Sequence, residues 1–323
     1  MTGCELSVVI PCHNDGKYLS EAIASVLSQE HRLRSFEVVV VDDHSTDEET
    51  LEVLEQWARE DRAIRVLRNP GAIGPATARN VGVDAAASEW VAFLDADDVW
   101  LPGGLQARWE VVETEPGAEW IGADFREWHE NGSLEATGHY HKDDFVGAIL
   151  APAYRSGRAL RLERPVEQFL RSSLTWTSTV MVKRALVQRV GGFHPALRGP
   201  EDLHLWYRLA LESDFFFAPR VVALYRQRAG SLIAQARRAG RLRQEWDALY
   251  RLLARHPGFR PLRRQLRAKL SSVHASDAWE YRQANRSWWA IRAALRALSY
   301  TPTQARIWKA LLGILRAAAR GPR

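Results

Sequence analysis

Cysteine, methionine and long hydrophobic stretches are scarce in this sequence. The 323 residues include two cysteines and two methionines, and no apolar run approaches the about 18 residues that span a bilayer. Cys4 and Cys12 lie near one strand-like segment and form no staggered framework, so we expect a reducing compartment and neither a disulfide nor a cysteine metal site. The first residues also lack the basic and apolar regions of a signal peptide. We therefore expect a cytoplasmic protein.

Two common nucleotide-binding motifs are missing as well. The first strand-like run is followed by a turn at 11–17 with one glycine and no G-x-G-x-x-G pattern, which disfavours a nicotinamide or flavin dinucleotide fold. The sequence has no G-x-x-x-x-G-K-[ST] loop, which argues against a P-loop NTPase. With 46% hydrophobic and 26% charged residues, the composition is that of a globular protein with a sizeable core.

Charge is divided unevenly along the chain. From Ala234 onward there are 20 Lys and Arg residues against four Asp and Glu, a net charge of +16, whereas the preceding part carries −11. Such asymmetry is typical of an acidic body joined to a basic surface with an anionic partner. We therefore predict a body at 1–233 and a basic, tryptophan-rich helical extension at 234–323.

The first hundred residues alternate between strand-like and helix-like patterns. Strands are predicted at 6–11, 36–41, 64–67 and 90–94, with apolar residues at helical spacing between them. The run 45–48 resembles a capping box, which predicts that Ser45 caps the second helix. The alternation is typical of a Rossmann-like α/β fold with a mostly parallel sheet flanked by helices. Residues 120–171 show no clean period, and we interpret them as strands and loops around the site.

Polar clusters follow three of the predicted strands. In a parallel sheet, ligands bind beyond the carboxyl ends of the strands, so these clusters mark the expected site. The clusters are His13-Asn14-Asp15, Asp42-Asp43-His44-Ser45 and Asp95-Ala96-Asp97-Asp98.

The last of these clusters contains a DxD motif, whose two carboxylates favour binding of a cation. Asp95 and Asp97 project to the same side of an extended segment and repel each other unless a cation lies near them. Mg²⁺ or Mn²⁺ is usually held by one or two carboxylates together with substrate phosphate oxygens, which suits a diphosphate substrate. The alternative is that both aspartates cap the helix near Pro102 or fill a solvated turn.

Two further acidic pairs have functional and structural interpretations. Asp42 and Asp43 could accept hydrogen bonds from a base or from ribose hydroxyls, or cap the following helix. Glu201 and Asp202 open an apolar, helix-like stretch, where the helix N-terminus favours an ionised carboxylate suited to act as a general base. N-capping of that helix is the alternative.

These motifs, in this order, resemble glycosyltransferase family 2, the inverting nucleotide-sugar-dependent enzymes. The resemblance covers about 6–231 and implies a GT-A fold that uses a divalent metal, Mn²⁺ or Mg²⁺. It also implies a nucleotide-sugar half at about 1–118 and an acceptor half at about 119–233. The matching segments are 7–11, 40–47, 78–82, 93–98, 190–193 and 199–209.

The resemblance implies a role for individual residues. Pro11 and Asp43 would contact the nucleotide base, Asp95 the ribose and Asp97 the metal. Asp202 would be the catalytic base, with Glu201 as a second candidate. The expected nucleotide-sugar contacts also include His13, Asn14, Asp42, Arg79, Ala96, Arg226 and Arg228. The expected acceptor contacts are Trp176, Thr177 and Trp206, although a tryptophan can equally belong to the core.

The sequence departs from the family pattern at Arg228. Many members carry a histidine there that helps to bind the metal or the diphosphate. Arginine cannot coordinate a cation but can bind phosphate with two parallel hydrogen bonds. The departure makes Arg226 and Arg228 candidate diphosphate ligands.

The basic extension contains two apolar stripes at helical spacing. They comprise Trp288, Ile291, Leu295 and Leu298, and then Trp308, Leu311, Leu312 and Leu315. Tryptophans among basic residues are typical of a helix lying on anionic lipid, with packing on the catalytic domain and nucleic-acid binding as weaker alternatives.

Together the patterns predict a glycosyltransferase that is peripheral to the inner face of the cell membrane. It would move a sugar, preferably from a UDP-sugar, to a hydroxyl of a surface glycan or a lipid-linked acceptor. The alternatives are a nucleotidyltransferase and a non-catalytic binding protein with a relict nucleotide site.

Overall fold

The computed structural model describes residues 4–319, and the chain divides into two compact units, Met1–Ala234 and Gln235–Arg323. The first unit is built on a sheet of nine strands in the described part of the chain. The second unit is helical. Each unit buries apolar side chains of its own.

The amino-terminal half of the first unit is parallel, as the alternating pattern predicted. Strands β1 (Leu6–Cys12), β2 (Phe36–Asp42), β3 (Ile64–Arg68) and β4 (Trp90–Phe93) lie in the order β3-β2-β1-β4. Helices α1 (Gly16–Leu27), α2 (Glu48–Glu60) and α3 (Pro75–Ala85) connect them. The residues of β1 and β2 are almost all buried, which explains their continuous apolar runs.

The other half of the sheet is mixed. Strand β8 (Met181–Lys183) is antiparallel to β4 and to β6 (Trp120–His129), and β6 is parallel to β9 (Phe215–Gln227). The short strands β5 (Val99–Trp100) and β7 (Leu160–Leu162) are antiparallel to β9. Between these strands lie α4 (Gly104–Thr114), α5 (Asp144–Ser156), α6 (Val166–Arg171), α7 (Arg184–Arg189) and α8 (Glu201–Glu212).

The interpretation of 120–171 as strands and loops missed two helices, α5 and α6. Asp143 caps α5 by accepting hydrogen bonds from the backbone N–H groups of Phe145 and Val146. Pro152 inside α5 obscured the helical spacing, although Val146 and Leu150 are buried one turn apart. Burial on one face therefore outweighs the unfavourable residue.

The capping prediction for α2 was wrong by two residues. Asp47 is the N-cap and accepts from the Thr50 backbone N–H at 2.8 Å. Ser45 is engaged elsewhere, because its hydroxyl accepts from the backbone N–H of Asn14.

The second unit consists of helices with an alanine-rich core. The helices from 232 onward are α9 (Leu232–Arg238), α10 (Leu242–Arg255), α11 (Arg263–Gln283), α12 (Ser287–Tyr300) and α13 (Ala305–Ala319). None of the helices in residues 4–319 is long and apolar enough to cross a bilayer. The buried cluster is Ala278, Ala293, Ala294, Ala297, Leu298, Ile307 and Leu311.

The two apolar stripes predicted for this unit are not its core faces. Leu298 and Leu311 are buried, but Trp288 is 68% exposed. Alanines form the packed face of α12, because their small side chains let α11 and α12 approach closely. The other stripe residues that remain exposed are Leu295, Trp308, Leu312 and Leu315.

Candidate active site

The loops after β1 and β2 are joined by Asn14. Its backbone is left-handed, with φ 54°, a conformation that asparagine tolerates better than most residues. Its side-chain oxygen accepts from the backbone N–H groups of Thr46 and Asp47, and its own N–H donates to Ser45. Asn14, an expected nucleotide-sugar contact, thus fixes the two loops that carry other site residues.

Asp43 is buried just after β2 and holds the loop that precedes α3. Its carboxylate accepts from Asn69 Nδ2 at 2.6 Å and from the Gly74 backbone N–H at 2.8 Å. Its carbonyl oxygen lies 2.7 Å from Nδ1 of His13. No sequence motif pointed to Asn69, which lies in a loop that also contains Gly71 and Gly74.

Three other expected contacts lie at the same edge of the sheet. Pro11 is partly exposed in β1, opposite Val41 of β2. Asp42 is buried and accepts from the backbone N–H of Ser45 at 2.9 Å. Ala96 is buried, so its side chain presents no surface to a ligand.

Arg79 is buried on α3 and joins two carboxylates that are far apart in sequence. Its two terminal nitrogens lie 2.6 Å from Asp95 Oδ1 and 2.6 Å from Glu201 Oε1. Burial opposes the charge of Arg79, but Asp95 and Glu201 outweigh it and raise its pKa. Burial also raises the pKa of Glu201, against the opposing effect of Arg79. The Arg79 side chain is 6% exposed, and its guanidinium is directed at these two carboxylates and not at solvent.

Arg228 lies just after β9 and bridges two carboxylates of the site. Its Nε is 2.5 Å from Asp97 Oδ2, and a terminal nitrogen is 2.7 Å from Asp15 Oδ1. Burial raises the pKa of Asp97, although Arg228 lowers it. Burial likewise raises the pKa of Asp15 to about 6. Asp15 belonged to a predicted polar cluster, but no role was assigned to it.

Arg226 makes its contacts with other residues of the protein. Its Nε donates to the backbone oxygen of Asp97 at 2.8 Å, and a terminal nitrogen pairs with Glu21 at 2.5 Å. The guanidinium also lies 4.0 Å from the ring centre of Trp128. Arg226 therefore anchors the end of β9 to the aspartate cluster.

Asp98 is a structural member of the aspartate cluster, and no sequence pattern indicated a role for it. It is buried and accepts from Ser178 Oγ at 2.5 Å and from the Arg226 backbone N–H at 3.0 Å. Burial raises the pKa of Asp98 well above its ordinary value. These bonds tie the DxD loop to β9 and to the 3₁₀ turn Thr177–Thr179.

Asp202 is partly exposed in the first turn of α8. Its Oδ2 accepts from the hydroxyl of Thr177 at 2.9 Å, and its Oδ1 accepts from the Leu203 backbone N–H at 2.6 Å. Burial raises the pKa of Asp202, while Arg79 and the bond from Thr177 lower it. The Asp202 carboxylate is thus partly exposed to solvent and held in one orientation, whereas Glu201 beside it is buried against Arg79.

The expected acceptor contacts differ in their access to a ligand. Trp176 is partly buried, with its ring 4.4 Å from that of Tyr225. Thr177 is 2% exposed and faces Asp202. Trp206 is fully buried, and its ring centre lies 6.1 Å from that of Trp120, on which it stacks. No face of the ring is open to an acceptor, so its assignment as an acceptor contact was wrong. Its position on the inner side of α8 makes it a core residue.

The donor set around Asp97 fits a divalent ion held jointly with substrate phosphates. Asp97 offers hard oxygen ligands beside Asp95, and such ions commonly take one or two protein carboxylates. One of these oxygens is engaged by Arg228. Among residues 4–319, three potential metal-ligand side chains come together elsewhere, at Glu127, His129 and Glu135. That group already pairs with Lys142 and His139.

Acidic loops lie at the carboxyl edge of the parallel half of the sheet, and α8, next to the mixed half, carries a partly exposed carboxylate. This fold and this site define a GT-A transferase. The family model described as glycosyl transferase family 2 matches residues 7–184. The chain belongs to glycosyltransferase family 2 and is a glycosyltransferase, which confirms the resemblance.

Curated relatives include bacterial glycosyltransferases. Glycosyltransferase GlyG of Streptococcus pneumoniae is 28% identical over 71% of this chain and 72% of its own length. Putative teichuronic acid biosynthesis glycosyltransferase TuaG of Bacillus subtilis is 29% identical over 63% of this chain and 71% of its own length. The Escherichia coli UDP-Glc:alpha-D-GlcNAc-diphosphoundecaprenol beta-1,3-glucosyltransferase WfgD is 37% identical over 32% of this chain and 39% of its own length.

Solved structures share the fold. The crystal structure of Staphylococcus aureus TarS 1-349 in complex with UDP-GlcNAc aligns with a TM-score of 0.67 and 20% identity. The alignment covers 95% of this chain and 83% of that chain. The predicted GT-A fold with a C-terminal helical region is therefore confirmed.

Proposed function

We propose that this glycosyltransferase moves a sugar from a nucleoside diphosphate sugar, preferably a UDP-sugar, to a hydroxyl group of a surface glycan or glycolipid. The observation that carries the proposal is the accessible, oriented Asp202 on α8 in a site that also holds the Asp95 and Asp97 carboxylates. The UDP-sugar in the name of WfgD and in the TarS complex supports the donor class. The names of TuaG and WfgD support a polymer or lipid-linked acceptor.

The donor half of the site would bind the nucleotide at the edge formed by β1 and β2. Asp43 and Pro11 would contact the base, and Asp95, oriented by Arg79, would contact the ribose. A carboxylate oxygen can accept more than one hydrogen bond, so the internal bonds of Asp43 leave it acceptor capacity. Arg79 acts as a positioning residue in this proposal, instead of the diphosphate contact expected from the sequence.

Departure of the nucleoside diphosphate develops negative charge that must be stabilised. Asp97 would hold the Mn²⁺ or Mg²⁺ ion, which supplies Lewis-acid stabilisation of the diphosphate when it is bound. Arg228 is the side chain nearest to Asp97 that can bind phosphate bidentately. Arg226 is anchored by Asp97 and Glu21 and would instead keep this segment in place.

The acceptor hydroxyl must lose a proton as it attacks the anomeric carbon. Asp202 would accept that proton, and the bonds from Thr177 and the Leu203 N–H hold its carboxylate in one orientation. A single base on the face opposite the leaving group implies inversion at the anomeric carbon. Glu201 would not be the base, because it is buried and paired with Arg79.

The test separates donor binding from chemistry. In a thermal-shift screen with UDP, GDP, CDP and dTDP, each with and without Mn²⁺, we expect UDP with Mn²⁺ to raise the melting temperature of the wild-type protein. Asp97→Asn should lose the metal-dependent part of this shift. Asp202→Asn should keep the shift but lose about 10²–10⁴-fold in transfer rate, the usual contribution of a general base. Unchanged transfer by Asp202→Asn would refute the assignment of the base.

The basic extension would hold the enzyme on an anionic membrane surface, where lipid-linked acceptors are found. Trp288 and Leu295 on α12, and Trp308, Leu312 and Leu315 on α13, are exposed although they are strongly apolar. Basic residues such as Arg292 and Lys309 lie among them. This combination of apolar and cationic side chains matches the interface of anionic lipid.

A further inference from the structure

Arg228 lies beside Asp97, the residue expected to bind the metal ion, and engages one oxygen of its carboxylate. Its guanidinium lies between Asp97 and Asp15 and contacts an oxygen of each, at 2.5 and 2.7 Å. The three side chains are 16–18% exposed, so little water screens their interaction. Two carboxylates share one permanent positive charge in this arrangement.

The Asp15 side chain does not cap the helix that it precedes. It is the N-cap residue of α1, yet its side chain makes no hydrogen bond to the N-terminal N–H groups of that helix. An N-cap aspartate normally stabilises its helix in this way. The Asp15 carboxylate instead contacts Arg228 at 2.7 Å.

The bridge opposes metal binding in the absence of a nucleotide. A divalent cation at Asp97 would have to displace the guanidinium from Oδ2 or bind the other carboxylate oxygen with the guanidinium still beside it. Breaking a partly buried ion pair and placing two cations close together are both unfavourable.

A nucleoside diphosphate changes this balance. Its phosphate oxygens can accept the N–H donors of Arg228 bidentately, which gives the guanidinium a new partner. The Asp97 carboxylate is then free to bind the cation, and the same phosphates provide the remaining oxygen ligands. Arg226 keeps the end of β9 in place meanwhile, because its own contacts do not involve the Asp97 carboxylate.

We propose that Arg228 makes metal binding at Asp97 conditional on the nucleotide, by pairing with Asp97 and Asp15 until a diphosphate takes over its N–H donors. The proposal rests on the function proposed above. By linkage, the metal must tighten nucleotide binding by the same factor by which the nucleotide tightens metal binding.

The test is a titration with Mn²⁺, with the free ion measured by electron paramagnetic resonance, with and without saturating UDP. For the wild-type protein we expect weak binding of Mn²⁺ alone and at least about tenfold tighter binding with UDP. Arg228→Gln should bind Mn²⁺ without UDP about tenfold more tightly than the wild type, with a smaller effect of UDP. Arg189→Gln, which changes a surface arginine paired with Glu119, is the matched control and should behave as the wild type.

The variant Arg228→Gln/Asp97→Asn identifies the ion's position and should lose the gain in Mn²⁺ affinity. Arg228→Gln with wild-type affinity for Mn²⁺ alone, or a gain that persists without the Asp97 carboxylate, overturns the proposal. If Arg228→Gln does not fold, Arg228→Met takes its place, because its side chain is unbranched and carries no charge to pair with the two carboxylates. Its affinity for Mn²⁺ alone should exceed that of the wild type, and equal affinity again overturns the proposal. Absence of UDP binding in every variant, the wild type included, refutes the UDP preference of the proposed function. The comparison with Mn²⁺ alone still decides whether Arg228 blocks Asp97.

Discussion

At the scale of single residues, Glu201 and Asp202 show how two neighbouring carboxylates acquire different properties. They are adjacent in the first turn of α8, but Glu201 points to Arg79 and Asp202 points to Thr177. The difference follows from helix geometry, because successive side chains are about 100° apart around the axis. The inward carboxylate pairs with Arg79, while the outward one is partly exposed, as the proposed general base must be.

The environment of Asp202 predicts the pH dependence of transfer. Burial raises the pKa of Asp202 above its ordinary 3.8, and Thr177 partly lowers it by donating a hydrogen bond to the ionised form. Since only the ionised carboxylate accepts a proton, kcat/KM should rise as the pH rises through this pKa. Thr177→Val removes the donor and should move this rise to higher pH by about one unit.

The measurement is kcat/KM against pH for the wild type and the variant. Thr114→Val is the matched control, because Thr114 is an exposed residue whose hydroxyl donates to the Glu110 backbone oxygen. A Thr177→Val profile that coincides with that of the wild type contradicts the role of Asp202 as the base.

At the scale of elements, the burial of the Arg79 side chain depends on how closely α3 packs on β1. Gly82, one turn after Arg79, lies so near β1 that a Cβ atom there would be 2.3 Å from Cγ1 of Val9. Any larger residue must push α3 outward or distort Val9. The glycine therefore sets the distance between α3 and the sheet.

Gly82→Ala should lower the free energy of unfolding by about 1–3 kcal/mol, because overpacking outweighs the better helix propensity of alanine. Val9→Ala makes room for the added methyl group, so the double variant should lose less than the sum of the two single changes. Urea denaturation measures all three. Gly117→Ala is the control, because nothing lies within 4 Å of its added Cβ, and additive effects of Gly82→Ala and Val9→Ala would argue against the close contact.

At the scale of the whole molecule, charge and exposed apolar surface are both concentrated in one unit. Residues from 234 onward carry +16, against −11 for the rest. Among residues 4–319, most of the exposed large apolar side chains also lie in that unit, four of them tryptophans. Helices α12 and α13 each place a tryptophan and a leucine seven residues apart on the exposed face, at 288 and 295 and at 308 and 315.

This surface predicts salt-sensitive binding to anionic vesicles. The wild-type protein should float with phosphatidylglycerol vesicles at about 0.05 M NaCl and much less at about 0.5 M, where charge is screened over a few ångströms. Trp288→Ser/Trp308→Ser should weaken binding by about tenfold or more, because two interfacial aromatic anchors are lost. Leu51→Ser/Ile73→Ser, which removes exposed apolar residues of the first unit, should bind as the wild type. Failure of the wild type to float at low salt contradicts the membrane proposal.

The sequence by itself determined the parallel half of the sheet and the polar clusters that follow its strands. The apolar runs of β1 and β2 and the polar clusters after them are local signals, since strand period and strand ends depend on neighbouring residues. The DxD motif and the Glu201-Asp202 pair were visible for the same reason.

Tertiary structure decided which of these residues are open to solvent and which contact one another. The bridge from Arg228 to Asp15 and Asp97 joins positions more than 100 residues apart, and Arg79 to Glu201 spans 122. The burial of Trp206 and the exposure of Trp288 were decided in the same way, because periodicity identifies a stripe but not the surface that covers it. Contacts between distant segments depend on how the sheet and helices pack, and no local pattern of the sequence encodes that packing.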